Sequence, residues 1–109
     1  MEYKLAFDDE FEDELRNNRK TSTIRYGLES VPEEGKRMEA YSGAYTFTVH
    51  IQSVEKTHIK QLPLYDFEGH TNYTSVEEAV EHLQQYYHDT LTPTSTVHII
   101  YFTIVSDKT

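Results

Sequence analysis

The segment Lys20-Thr21-Ser22-Thr23-Ile24-Arg25 places two cations and three hydroxyl side chains between a helical pattern and a strand-like run. Alternate residues of a strand share a face, which predicts that Ile24 points into the protein. Thr21, Thr23 and Arg25 are then expected on the opposite face. The segment therefore predicts a strand that carries reactive side chains.

Lys20 and Thr23 are a candidate base and nucleophile. If Lys20 lies in the turn before the strand, its long side chain can reach the hydroxyl of Thr23, three residues later. A threonine hydroxyl becomes a good nucleophile when a base removes its proton, and a lysine amine acts as that base if its pKa falls towards neutrality. Burial or the cation of Arg25 would lower this pKa, and the planar guanidinium could instead hold a polar ligand. The alternative is an exposed run that merely begins a strand.

The length of 109 residues predicts a single domain over residues 1–109. The sequence has no long apolar run and no N-terminal basic-then-apolar pattern, so we expect a soluble, cytoplasmic protein. The absence of cysteine removes disulfides and thiolate chemistry. The histidines lack metal-ligand spacing, since His82 and His88 lie six apart, and we expect no metal and no cofactor.

The formal charge of −9 comes from 19 acidic and 10 basic residues. Such a charge repels phosphate backbones and argues against a broad nucleic-acid groove. Arg16, Arg19, Lys20 and Arg25 could form a local basic patch, or they could be ordinary solvated charges.

The spacing of apolar residues and the helix-capping residues predict the secondary structure of the first half of the chain. A short strand is predicted around Tyr3, Leu5 and Phe7, and Asp8 or Asp9 begins a helix of about three turns. Asn17 and Asn18 are plausible helix terminators. After an irregular loop over residues 26–35, strands are predicted over 36–41 and 45–54, with a turn over 42–44.

The second half contains the clearest helix signal. A short helical turn stopped by Pro63 leads to Glu68, whose neighbouring Phe67 could desolvate the carboxyl group and raise its pKa towards acid-base use. Ser75 and Glu78 match a capping box, and the apolar residues that follow have helical spacing. The apolar run over residues 97–105 predicts a central strand that is buried on both sides.

Three pieces of sequence, in this order of elements, resemble the ASCH domain family. They are the segment 19–25, Phe67-Glu68-Gly69 ahead of the Ser75 helix, and the closing strand over residues 97–102. The resemblance spans nearly the whole chain. It implies an α+β fold, a small PUA-like β-barrel of about five or six strands with two main flanking helices.

The resemblance also implies an activity. Some small bacterial members of this family are N4-acetylcytidine amidohydrolases, which release acetate from the modified base. Carried onto this chain, Lys20 would be the general base, Thr23 the nucleophile and Glu68 an acid-base or orienting carboxylate. Arg25 and Thr21 would contact the substrate.

Tyr26 directly follows the predicted strand, where it could stack on a flat ligand or pack at the strand end. A binding module is the alternative to an enzyme. In that reading Lys20, Thr23 and Arg25 would line a cleft that holds RNA or a modified nucleotide without reaction. The acidic charge favours a small nucleoside over a polynucleotide, and neither DNA nor a membrane is an expected partner.

Overall fold

The computed structural model describes residues 4–27, 31–62 and 73–107. Within these residues, the strands are β1 (Leu5–Phe7), β2 (Ser22–Arg25), β3 (Arg37–Ser42), β4 (Tyr45–His58) and β5 (Thr96–Asp107). The α-helices are α1 (Glu12–Arg16) and α2 (Val76–Tyr87), and 3-10 turns cover Asp9–Phe11 and Ile59–Gln61. The predicted α+β class with about five or six strands and two flanking helices is confirmed, and the predicted barrel is a half-barrel of five described strands.

The five strands of the described residues form one mixed sheet in the order β1-β3-β4-β5-β2. β1 pairs parallel to β3, and the other neighbours are antiparallel. β4 is 14 residues long and has register shifts at Thr48/Val49 and at Ile51/Ser53. Such irregularities bend a strand. The sheet therefore curves into a half-barrel, with β1 and β2 as its two edge strands.

The first helical segment is shorter than the three turns predicted. The Asp8 side chain accepts a hydrogen bond from the Glu10 amide, and the 3-10 turn then leads into the five residues of α1. At its end Asn18 has a left-handed backbone, with φ of 57°. The Asn18 amide donates to the Leu15 carbonyl (3.2 Å) and the Arg19 amide to the Glu14 carbonyl (2.8 Å). This Schellman motif stops the helix and returns the chain towards β2.

The capping box of α2 is confirmed. The Ser75 hydroxyl accepts a hydrogen bond from the Glu78 amide at 3.1 Å. The Glu78 carboxylate bonds back to the amide and hydroxyl of Thr74, each at 3.0 Å, one residue earlier than in the standard box. The predicted apolar face of the helix is also confirmed, because Ala79 and Leu83 are buried against the sheet.

Hydrophobic clusters lie on both faces of the sheet. Ile99 and Ile100 are adjacent on β5, are both fully buried, and belong to different clusters. The first cluster contains Phe47, Val49 and Phe102 and packs against α1, and the second packs against α2. The prediction that the last strand is central and buried on both sides is therefore confirmed.

The remaining boundaries shift by small amounts. β3 covers Arg37–Ser42 where 36–41 was predicted, and β4 runs to His58 because it pairs with β5 as far as Thr96. The helical turn predicted before Pro63 is the 3-10 turn Ile59–Gln61, whereas Tyr3, Pro63 and Glu68 lie outside the described residues. Within the described ranges, no helix has the length and apolar character needed to cross a bilayer.

We expect Asn18, which has a left-handed backbone at the end of α1, to tolerate substitution by glycine but not by alanine. A side chain without Asn's local hydrogen bonding costs about 1–2 kcal/mol in this conformation. Asn18→Ala should therefore lower the free energy of unfolding by about 1 kcal/mol. Asn18→Gly is the matched control and should remain near wild type in urea titrations. Equal stability of the alanine and glycine variants would contradict this account.

Candidate active site

A cavity of about 100 Å³ lies where the edge strands β1 and β2 approach each other beside α2. Its wall contains side chains from both hydrophobic clusters and two cations. The lining residues discussed below are Phe7, Phe11, Lys20, Thr23, Arg25, Tyr73, His82, Tyr86 and Tyr87. The site thus lies at the open side of the half-barrel.

Arg25 bridges the two edge strands. Its Nη2 donates to the carbonyl oxygen of Ala6 on β1 at 2.6 Å, and its Nε donates to the hydroxyl oxygen of Thr23 at 3.3 Å. Its guanidinium also lies over the Phe7 ring, 5.0 Å from the centroid. These contacts fix the cation in one orientation inside the cavity wall.

Lys20 is the buried cation of the site. It precedes β2, as expected, and its side chain is only 3% exposed. The ammonium nitrogen lies 4.3 Å from the centroid of the Phe11 ring. Burial, reinforced by the charge of Arg25, lowers the pKa of Lys20 from 10.5 to about 8, although Glu14 and Glu10 act in the opposite direction. The amine is therefore much closer to neutrality than an ordinary lysine.

Thr23 lines the same cavity and is 6% exposed. Because its oxygen accepts a hydrogen bond from a guanidinium, its own hydroxyl proton remains available for a base. The positive partner also favours the alkoxide that forms when this proton leaves. Lys20, Thr23 and Arg25 thus all line one cavity, and their catalytic or binding roles stay a prediction.

The other predicted site residues lie elsewhere or outside the described part of the chain. Neither Thr21 nor Tyr26 lines the cavity. The Thr21 carbonyl accepts a hydrogen bond from the Phe102 amide at 2.9 Å. Tyr26 donates to the Asp89 carboxylate at 3.1 Å. Glu68 is outside the described residues, so its role stays a prediction.

Comparisons with known proteins bear on the fold. No family model matches the sequence, and no curated protein is significantly similar. Among solved structures, protein EF3133 from Enterococcus faecalis, assigned to family model DUF984, is similar with a TM-score of 0.76 at 16% identity, covering 100% of this chain and 83% of that one.

Two ASCH structures are also similar. One is the ASCH domain from Lactobacillus crispatus, with a TM-score of 0.65 at 15% identity over 86% of this chain and 69% of that one. A variant of ZmASCH from Zymomonas mobilis has a TM-score of 0.60 at 14% identity, over 92% and 66% of the two chains. The chain has the ASCH-domain fold.

The sequence did not reveal the aromatic side of the cavity of this ASCH fold. α2 contributes His82, Tyr86 and Tyr87, and Tyr73 comes from the segment before it. Burial raises the pKa of Tyr73 to about 12. The pKa of Tyr86 is also raised, first by burial and then by Asp8 and Glu10. The sequence does show that His82 and Tyr86 lie one helical turn apart and therefore share a face of α2. This spacing does not show that the face lines a cavity.

The basic cluster of the sequence is divided in the ASCH fold. Lys20 and Arg25 face the cavity, whereas Arg16 pairs with Glu12 at 3.0 Å and lies over the Tyr45 ring. Arg19 is exposed beyond the end of α1. The four cations therefore do not share one surface.

The lowered pKa of Lys20 predicts a specific dependence of stability on pH. The unfolded chain binds more protons than the folded one between about pH 8 and 10.5, so this contribution makes the protein more stable as pH rises through that window. Below about pH 8 the folded protein carries the full free-energy cost of burying the charged amine, up to about 3 kcal/mol.

Lys20→Met should therefore stabilise the protein most near neutral pH, and its advantage should shrink by about pH 9.5. Urea unfolding of both proteins at the two pH values measures this difference. The tyrosines with raised pKa values are common to both proteins and cancel in the comparison. An advantage that is independent of pH would contradict the burial of a titrating amine.

Proposed function

We propose that this protein is an amidohydrolase that removes the acyl group from an N-acylated nucleoside, with N4-acetylcytidine as the first substrate to test. The observation that carries the proposal is that the buried Lys20 amine, with a pKa of about 8, and the Thr23 side chain line one cavity. The likeness in fold to ASCH structures supports it. The products are the free nucleoside and a carboxylate.

In the first step, the neutral amine of Lys20 takes the hydroxyl proton of Thr23. At neutral pH roughly a tenth of the molecules hold the neutral amine when the pKa is about 8. The threonine oxygen attacks the acyl carbon, and the carbon–nitrogen bond breaks as the leaving amine is protonated. The charge of Arg25 stabilises the negative charge that develops during attack.

In the second step, water attacks the acyl ester on Thr23 and the threonine oxygen leaves with a proton. In the proposed mechanism Lys20 acts as base and then as acid in this step as well. Glu68 keeps the proposed role of an acid-base or orienting carboxylate, which the family resemblance implies. The outcome is a carboxylate and a regenerated threonine hydroxyl.

The cavity fits part of such a substrate. Ligand pockets commonly measure about 300–1,000 Å³, and this cavity of about 100 Å³ matches the acyl amide end. Tyr86 lines the cavity and is 38% exposed, which offers a flat face towards the outside. A pyrimidine ring could stack there while its acyl group points towards Thr23.

The charge distribution supports a small substrate over a polynucleotide. The chain carries a net charge of −9, and the Arg16 charge is paired with Glu12. Binding to phosphate backbones depends on several cations that share one surface. We therefore treat RNA binding as an outcome of the tests below and not as a second function.

Removing the nucleophile should abolish turnover of N4-acetylcytidine. Thr23→Val keeps the shape but has no hydroxyl, and kcat should fall about 1,000-fold or more. Thr23→Ser keeps the hydroxyl and should retain measurable activity. Chromatography of released cytidine measures both. Equal turnover in the valine variant and the wild-type protein would contradict the mechanism. If the wild-type protein turns over no acylated nucleoside but binds RNA in a salt-sensitive way, a binding module is favoured.

The rate should rise with pH as Lys20 loses its proton. We expect kcat/KM to increase up to about pH 8 and then to level off, because the base must be neutral to act. In Arg25→Gln the rise should move to higher pH, because Arg25 helps to lower the pKa of Lys20. A profile that is flat across this range would contradict the role of Lys20 as base.

A further inference from the structure

His82 lies at the boundary between the cavity and the protein surface. It lines the cavity that contains Lys20 and Thr23, and it also lines a shallow surface groove. The groove is formed by Asp8, Glu10, His82, Gln85, Tyr86 and His88. His82 and Tyr86 line both spaces, so the histidine ring lies between the cavity and the groove.

The imidazole of His82 is held in place by aromatic neighbours. Its Nδ1 shares a hydrogen bond of 2.9 Å with the hydroxyl of Tyr73, which is 3% exposed. The Tyr86 ring lies edge-on to it at 6.0 Å between centroids. When Nδ1–H donates to the tyrosine oxygen, Nε2 is the ring nitrogen that can accept and release a proton.

The proposed hydrolysis has a proton balance that the cavity must satisfy. An amide and a water give an amine and a carboxylic acid, and the acid is ionised at neutral pH. The amino group of cytosine does not take up this proton, so each turnover releases one proton. Lys20 must also return to its neutral form before the next turnover. Since Lys20 is 3% exposed, it has little direct contact with solvent.

We propose that His82 carries this proton from the cavity to solvent at the groove. The proposal rests on the proposed amidohydrolase function and adds a residue that the family resemblance did not supply. His82 accepts the proton left in the cavity at one stage of the cycle and gives it to water at the groove. Imidazole suits this task because it gains and loses protons near neutral pH.

Several titratable or charged groups line the two spaces around His82. They are Tyr73 from the segment before α2, Tyr86 and His88 from α2 and its C-cap, Asp8 and Glu10 from the first helical segment, and Lys20 and Arg25 across the cavity. The carboxylates on the groove side attract the outgoing proton, and the cations on the cavity side repel it. The charge pattern therefore favours outward transfer.

The test measures kcat and KM for N4-acetylcytidine in weakly buffered solution. His82→Ala removes the carrier, and His82→Asn keeps a polar group near Tyr73 but cannot move a proton. Both should lower kcat about 100-fold with little change in KM. Added imidazole should restore turnover in H82A in proportion to its concentration, because the groove is open to solvent.

His88→Asn is the matched control. His88 lines the groove but not the cavity, and its backbone is left-handed with φ of 54°, which asparagine accommodates. H88N should keep wild-type kcat. Tyr73→Phe removes the hydrogen bond that orients the ring and should lower kcat by a smaller factor than H82A.

The outcomes separate this proposal from the proposed function. If wild-type protein turns over the substrate and H82N retains wild-type kcat at low buffer, the role of His82 is wrong and the hydrolase stands. A loss in H82A that imidazole does not restore also overturns it, because that pattern indicates a structural role. If the wild-type protein hydrolyses no acylated nucleoside, both proposals fail.

Discussion

The hydrogen bond from Arg25 to the Ala6 carbonyl joins two strands that the sheet leaves at opposite ends of its order. Edge strands have unpaired backbone groups, and here side chains satisfy some of them in place of another strand. The Tyr87 hydroxyl donates to the Ile24 carbonyl on β2 at 2.9 Å. The half-barrel therefore keeps an opening between β1 and β2, and that opening is the cavity.

The same arginine links fold and chemistry. It helps to lower the pKa of Lys20 and donates to the Thr23 oxygen, so both members of the proposed base and nucleophile pair depend on it. Burying an ammonium beside a guanidinium costs free energy, because both ions lose solvation and repel each other. The hydrophobic clusters on the two faces of the sheet offset this cost. Sites that need perturbed groups commonly have such local instability.

Signals that depend on neighbours along the chain were reliable. The capping box at Ser75, the alternating β4 pattern and the asparagines that end α1 each act over a few residues, so they could be predicted directly. The α-helical length of the first segment was overestimated because its first turn, Asp9–Phe11, is a 3-10 turn, while the helix ends at the predicted asparagines. From the sequence alone, Tyr26 could either stack on a flat ligand or pack at the end of the strand. In the structure it lies against Asp89 and Tyr87.

The sequence by itself determined the α+β class and the two flanking helices, because periodicity and capping are local properties, and it selected Lys20 and Thr23 as candidate residues that line one cavity. The tertiary structure decided which strands remain at the edges, how deeply Lys20 is buried and that His82 spans the cavity and the groove. These features arise where β1, β2 and α2 meet, from residues far apart in sequence. Contacts of that kind depend on strand order and helix packing, which no local pattern encodes.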